Sequence, residues 1–240
     1  MAWTNKRIAI AVAASLALIL SILMLLLHHL NATSPGHSKA ASDLNIMVER
    51  IANSDATPEF NFKKVPAPSQ PSATASAKFS LVAGGQDVNG ARVEKLRGGS
   101  LPGGPDAPRQ SFFFNDGSVG GRILVDLNQP MNIQQINTYS WHTGPRAPQL
   151  YKLYASSGTD DGSAPAADRS VDLPASEWKF LASVDTRPRS GEPGGQYGVS
   201  ITSPNGLIGN YRYLLFDCKR TEEEDRWGNT FYSKIDVVAK

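Results

Sequence analysis

Apolar and polar positions alternate in short runs along most of this chain, and breakers separate the runs. The clearest stretch is Ser111 to Tyr154, which reads SFFFNDG, GGRILVDLNQP, MNIQQINTYSWHTGPRAP and QLYKLYAS. Asn-Asp-Gly, Asn-Gln-Pro and Thr-Gly-Pro stand between its pieces. Runs of strand length, rich in β-branched and aromatic residues and bounded by such turn formers, predict short antiparallel strands. After Gly120-Gly121, Ile123, Val125 and Leu127 occupy alternate positions, so one face of that strand is expected to be buried. Pro130 is expected to end it, having no N–H to give to a ladder. Ile133 and Ile136 are out of phase for a flat strand, and a bulge at Gln134 or Gln135 would bring both inside. Tyr151 and Leu153 then fall on one face and Leu150 and Tyr154 on the other, which suits a strand covered on both sides.

From Lys78 onward the same pattern yields about ten candidate strands with turn signals between nearly all of them. No convincing helical period interrupts them. Short strands without intervening helices argue for a sandwich or barrel rather than an α/β sheet. The span 79–240 is long enough to bury a core between two sheets. The insertions SSGTDDGSAPAADRSVDLPASE and TRPRSGEPGGQ are expected to be surface loops, because their backbones could not be satisfied inside.

The amino-terminal part reads differently. Ile8 to Leu27 is an unbroken run without a charge, long enough to cross ~30 Å of hydrocarbon as a helix. Lys6 and Arg7 precede it and the next Lys or Arg is Lys39, a bias that keeps the amino terminus in the cytoplasm and exports the rest. A cleaved signal peptide is the competing reading, which would make the protein secreted. Its apolar region is ordinarily shorter and ends at a small-x-small site, whereas this run ends in LLLHHL, so the length favours a retained signal-anchor. Residues 1–30 are therefore expected to be a cytoplasmic tip and transmembrane helix, and 31–78 a flexible stalk. Within the stalk, Leu44, Met47, Val48 and Ile51 have helical spacing, consistent with a short amphipathic helix over 42–53 capped by Ser42. VPAPSQPSATASA is expected to be an extended spacer. Asn31-Ala32-Thr33 is an acceptor triplet for N-glycosylation, meaningful only in a eukaryotic secretory pathway.

Composition narrows the function classes. With 24 basic and 22 acidic residues and no long tract of either sign, the chain lacks the electrostatic footprint of a nucleic-acid binder. A single cysteine, Cys218, forbids an internal disulfide and a cysteine-cluster metal site; its place in YRYLLFDCKR suits a packed thiol. No nucleophile elbow, HExxH, phosphate-cradling or dinucleotide-binding motif occurs. His142 is the one histidine of the body, and no oriented nucleophile accompanies it, so a role in hydrogen-bonding a ligand or neighbour is preferred to general base.

The order of FFFNDGSVGGRILVDLNQPMNIQQINTYSWH, YKLYAS, SEWKFLASV, NYRYLLFD and FYSKIDVVA resembles the discoidin, or factor 5/8 type C, family. The pieces that carry the resemblance are Asp116-Gly117, Val125 to Asn128, Ile133 to Ile136, Tyr151 to Ser156, Trp178, Tyr211 to Leu215 and Ser233 to Val237. No piece is specific by itself; their order and spacing are. The resemblance implies an all-β, galactose-binding-like jelly-roll sandwich over 79–240, and a binding module for glycans, lipid head groups or proteins. It also implies a calcium position at Asp116. The partner carboxylate of that position is replaced by Lys234, which disfavours calcium because a hard cation needs several oxygen ligands. Lys234 could stand in for the ion as a salt bridge to Asp116.

Aromatic and polar residues in loops are the candidates for binding. Trp141 and His142 lead into Thr143-Gly144-Pro145-Arg146, and Trp227 lies in EEEDRWGNT. A tryptophan face stacks on the apolar side of a sugar ring, while Arg, His and Asn take its hydroxyls. Trp141, His142, Arg146, Arg226, Trp227 and Asn229 are thus the expected ligand site, with Trp141 alternatively plugging the end of the sandwich. The sequence predicts a membrane-anchored, exported, non-catalytic module for carbohydrate-type ligands at the cell surface. A scaffold module contacting another envelope protein is the rival, and an enzyme using His142 is a third reading.

Overall fold

The computed structural model describes residues 38–41, 43–68, 72–168 and 172–240. The expected transmembrane run 8–27, the glycosylation triplet and the Ser42 cap lie outside the described residues. No helix among the described residues is long and apolar enough to cross a membrane. Among the described residues there are nine strands: β1 (Lys39–Ala40), β2 (Asn45–Ile51), β3 (Lys78–Ala83), β4 (Gly120–His142), β5 (Leu150–Ser156), β6 (Lys179–Asp185), β7 (Gly195–Thr202), β8 (Gly209–Lys219) and β9 (Tyr232–Ala239). All their pairings are antiparallel. Described helix is confined to 3-10 turns at 73–76, 93–97 and 108–110.

The long strand β4 belongs to two layers. Its first half pairs with β3 and β8 in the order β3-β4-β8-β5-β6-β1, and its second half with β9 and β7 in the order β9-β4-β7-β2. Ile123, Val125 and Leu127 face one core with Leu153, Leu181 and Phe216 of their own layer and Ile136, Val199, Ile201 and Val237 of the other. The result is an all-β sandwich. The bulge expected near Gln134 is there: Ile133 opposes Ala239 and Gln135 opposes Val238, leaving Gln134 as the extra residue and both isoleucines fully buried.

Pro130 does not end its strand. The chain stays extended through it, and the β4–β8 register instead shifts between Asp126 and Met131. Proline is tolerated where no ladder bond is demanded of it. Asn128, at φ 71°, turns the corner: its N–H donates to Asp126 Oδ1 (2.8 Å) and its side chain to Ser76 O (2.9 Å). Arg212 holds the same Asp126 carboxylate through Nε (2.8 Å) and Nη2 (3.0 Å). The outer face of β5, expected to be covered, packs Tyr154 in one cluster with Ala164, Ala167, Leu173, Trp178, Tyr213 and Leu215.

The segment expected to be a helical stalk is part of the sandwich. Residues 45–51 form no helix; they are β2, paired residue for residue with β7. The spacing of Leu44, Met47, Val48 and Ile51 fits a helix, yet β7 offers a free ladder about 150 residues away in sequence, and tertiary pairing overrides a short local period. Nor are the described residues of the expected spacer, 65–68 and 72–77, free of the sandwich. With 56–64 they form a strap across the outer face of the second layer, where Lys234, Tyr139, Gly198 and Glu49 lie in one row of paired positions. The Glu49 carboxylate accepts the N–H groups of Lys63 (2.8 Å), Lys64 (2.7 Å) and Val65 (3.0 Å). Phe62 and Val65 sit directly over Gly198, where a Cβ would come within 2.7 Å of Phe62 and 2.9 Å of Val65. The Tyr139 hydroxyl donates to Pro66 O (2.7 Å), and the Ser72 and Thr74 hydroxyls bond the backbone of β9. Phe60, Val65, Tyr139 and Trp141 close into a second apolar cluster beneath the strap.

Candidate functional site

One end of the sandwich gathers the 85–90, 113–118, 142–148 and 222–231 segments. The 143–148 turn is held rigidly. Four successive carbonyls, Pro145 to Pro148, each accept a hydrogen bond: from the Thr221 hydroxyl, the Phe231 N–H (2.9 Å), the Ser140 hydroxyl (2.6 Å) and the Thr230 hydroxyl. A backbone fixed at every peptide fixes the direction of the side chain it carries. That side chain is Arg146.

Arg146 lies on an aromatic floor. Phe113 and Phe231 stack at 4.1 Å with 9° between their planes, and the guanidinium carbon sits 4.5 Å from the first ring centroid and 4.1 Å from the second. Its Nε donates to Asn229 O (3.2 Å), while its two terminal nitrogens find no hydrogen-bond partner among the described residues. Burial lowers its pKa from the usual 12.5, and the carboxylates of Asp87, Asp106, Asp225 and Asp116 pull it the other way. His142 packs edge-on to the same Phe231 ring at 4.6 Å. Its Nδ1 accepts the Gly144 N–H (3.0 Å), which leaves the proton of the neutral ring on Nε2. Burial first, and then the Arg146 charge, lower the His142 pKa from its ordinary 6.5, so the ring is neutral at pH 7.

The expected site residues separate into two groups. His142 and Arg146 come together on Phe231, and Trp227 lies in the 222–231 segment of the same loop cluster, 45% exposed, with the Arg226 guanidinium 4.6 Å over its ring. Trp141 does not join them. It is a strand residue only 3% exposed, its indole N–H donates to Asn53 (3.0 Å), and the ring of Phe60 meets it edge-on at 5.8 Å. The strap takes the surface that a ligand would need. Asn229 is buried too; its amide donates to Asn115 O (3.2 Å) and Ser118 Oγ (3.3 Å) and so braces the 115–118 turn instead of meeting a ligand. Asp116 pairs with Arg226 at 3.7 Å, whereas Lys234 pairs with Asp236 at 3.1 Å; the bridge expected between Asp116 and Lys234 is not made. No cluster of metal-ligating side chains occurs among the described residues.

Sequence reasoning missed Phe113, Phe231 and the combined influence of Asp87, Asp106, Asp116 and Asp225 on Arg146. A signal existed for the first. Side chains alternate along an extended run, so three successive phenylalanines cannot all face one core. Phe112 and Phe114 enter the core and Phe113 faces the site.

The arrangement offers N–H donors from Arg146, His142 Nε2 and the Trp227 indole beside carboxylate acceptors, with an exposed aromatic face. That combination matches groups that donate and accept at once. Among the described residues the His142 ring hydrogen-bonds only within its own turn, and no hydroxyl or thiol is oriented toward it as a nucleophile.

The fold defines the class first: a two-layer antiparallel β-sandwich with its candidate site in the loops at one end. No protein-family model matches the chain, and no curated protein matches it. Solved structures that it is similar to include the lectin domain of lectinolysin complexed with Lewis B antigen, at 11% identity and TM-score 0.45, covering 72% of this chain and 99% of that one. Another is the family 32 carbohydrate-binding module of Clostridium perfringens NanJ in complex with galactose, at 10% identity and TM-score 0.43, covering 69% of this chain and 95% of that one. A third is a fucolectin from striped bass (Morone saxatilis) serum, at 12% identity and TM-score 0.42, covering 69% and 47%.

Proposed function

We propose that this chain is a non-catalytic module that binds an uncharged carbohydrate through the Arg146 end of its sandwich. One observation carries the reading: a preorganised, half-buried guanidinium stacked on Phe113 and Phe231 with unspent terminal N–H groups, in the field of four carboxylates. A carboxylate- or sulfate-bearing ligand would meet the opposing charges of Asp87, Asp106 and Asp225, while Asp116 is paired with Arg226. Hydroxyl groups suit the place better, accepting from Arg146 and His142 and donating to the acids. Trp227 supplies the face on which the apolar side of a sugar ring would stack.

The test is affinity for neutral glycans, first on an array and then by calorimetry on the strongest hit. Trp227→Ala is expected to weaken binding by about tenfold or more, equivalent to about 1.4 kcal/mol, with an unchanged melting temperature because the ring is exposed. Undiminished binding in a folded variant removes Trp227 from the site. Arg146→Lys keeps the charge but loses the fork, and it is expected to weaken binding further.

Acidification should also release the ligand. His142 has a folded pKa below its ordinary 6.5, so the neutral ring is retained above that value. As pH falls from 6.5 through the lower folded value, a proton on Nδ1 would confront the Gly144 N–H and loosen the 142–146 turn. Titrating affinity from pH 7 downward, with His142→Gln as the comparison, checks this. An equal loss in both proteins would remove His142 as the cause.

We further propose that residues 8–27 anchor the module in a membrane with the sandwich on the extracytoplasmic side, on the strength of the uncharged run behind Lys6 and Arg7. Resistance of the full chain to alkaline carbonate extraction is expected; its recovery in the supernatant argues for cleavage or no insertion.

A further inference from the structure

An edge strand presents unpaired N–H and C=O groups, and folded proteins ordinarily blunt it. Three of the four edges here are blunted. At β9 the Ser72 hydroxyl bonds both the N–H (3.0 Å) and the C=O (3.2 Å) of Val237, and the Thr74 hydroxyl donates to Ile235 O (2.9 Å). β1 is two residues long, and β3 carries a register shift between Leu81 and Ala83. β2 has no such device. Its seven residues run against β7 without a shift, contain no proline, and have no hydrogen-bond partner on their outer side among the described residues. Met47 and Val48, on opposite faces, are 43% and 41% exposed. The two charges of the strand are turned onto their own chain, Glu49 to the strap N–H groups and Arg50 to the carbonyls of Glu192 (2.8 Å) and Gly194.

We propose that β2 pairs antiparallel with β2 of a second copy of this chain, across a two-fold axis at Val48, so that the two β9-β4-β7-β2 layers become one continuous sheet. The register selects a second copy over an unrelated strand. With Val48 opposite Val48, Met47 faces Glu49, Ile46 faces Arg50 and Asn45 faces Ile51, so all seven residues find a partner and no like charges meet. Each face of one strand also continues the same face of the other. Centring the axis on Glu49 would set two carboxylates directly opposite, which is unfavourable. Centring it on Met47 would leave Arg50 and Ile51 without partners. A self-complementary patch of this kind is what a closed two-fold assembly requires. The arrangement would present two Arg146 sites on one particle.

The test uses the full chain in mild detergent. Light scattering is expected to give a dimer for the wild type and a monomer for Val48→Lys, which places two ammonium groups opposite each other at a position exposed enough to keep the fold. Under mild oxidation Val48→Cys is expected to form a disulfide-linked dimer, since directly opposed strand residues lie within disulfide reach. Val88→Cys, in the exposed 85–90 loop outside β2, is the control; the native Cys218 is buried and should not interfere. A wild type that stays monomeric at its highest soluble concentration overturns the proposal. So does a dimer that Val48→Lys leaves intact, or crosslinking no more efficient at position 48 than at 88.

Discussion

Replacing Lys234 with methionine is expected to lower the unfolding free energy by about 3–5 kcal/mol. Lys234 and Asp236 alternate with the core residues Ile235 and Val237 on β9, so both point to the outer face of their layer. That face would normally be wet. Here the two side chains are almost wholly buried, with Nζ 3.1 Å from Oδ1. Removing the ammonium takes the near counter-charge from a carboxylate buried where water cannot reach it, and that loss is the expected cost. The double variant Lys234→Met with Asp236→Leu removes both charges and should recover most of the loss, because the pair itself contributes little once its desolvation is counted. Urea denaturation of the two variants beside the wild type measures this. A single variant costing less than about 1 kcal/mol would put the pair in the class of exposed ion pairs and sink the argument.

A fragment of residues 79–240, the boundary suggested by the pattern of strands and breakers, is expected not to fold. Cutting there removes β2 and leaves β7 unpaired along one side. It strips the strap from Tyr139 and Trp141, and it uncaps Ile235 and Val237. Phe60 and Val65 are fully buried under the strap, and burying each such side chain contributes about 1.5–3 kcal/mol. A domain of this kind has only about 5–15 kcal/mol in total. Losing those contacts and a seven-residue ladder together should consume most of it. The longer fragment 38–240 should show near-ultraviolet circular dichroism and a cooperative melt; 79–240 should show neither. A cooperative melt of 79–240 at the temperature of the longer fragment would return the strap to the status of a passive linker.

The two results bear on function because both concern what lies beneath the site. β4 ends at His142 and β9 begins just after Phe231, so the strands that the strap holds in place also deliver the aromatic floor and the Arg146 turn. Loops carry the contacts, but a layer must fix where the loops begin.

Alternation of side chains was enough to read much of the sandwich from the sequence. Ile123, Val125 and Leu127 had to share a face, Ile133 and Ile136 needed an extra residue between them, and Tyr151 and Leu153 had to oppose Tyr154, because a strand has a fixed period of two. Arg146 and Trp227 could be picked out as loop residues, and His142 as the strand end leading into one, for the same reason: they fall where the alternation stops. What lay beyond the sequence is whatever depends on a partner distant along the chain. The spacing of Leu44, Met47, Val48 and Ile51 fits a helix as well as a strand until β7 supplies the free ladder. Trp141 and Trp227 are the same side chain beside similar turns, yet only the strap crossing the outer face buries one and leaves the other open. Arg146 became a candidate binding group only when Phe113 and Phe231 were brought under it, in the field of four carboxylates. Local periodicity reports which face a residue prefers; which chain covers that face is settled by packing between segments that the sequence keeps far apart.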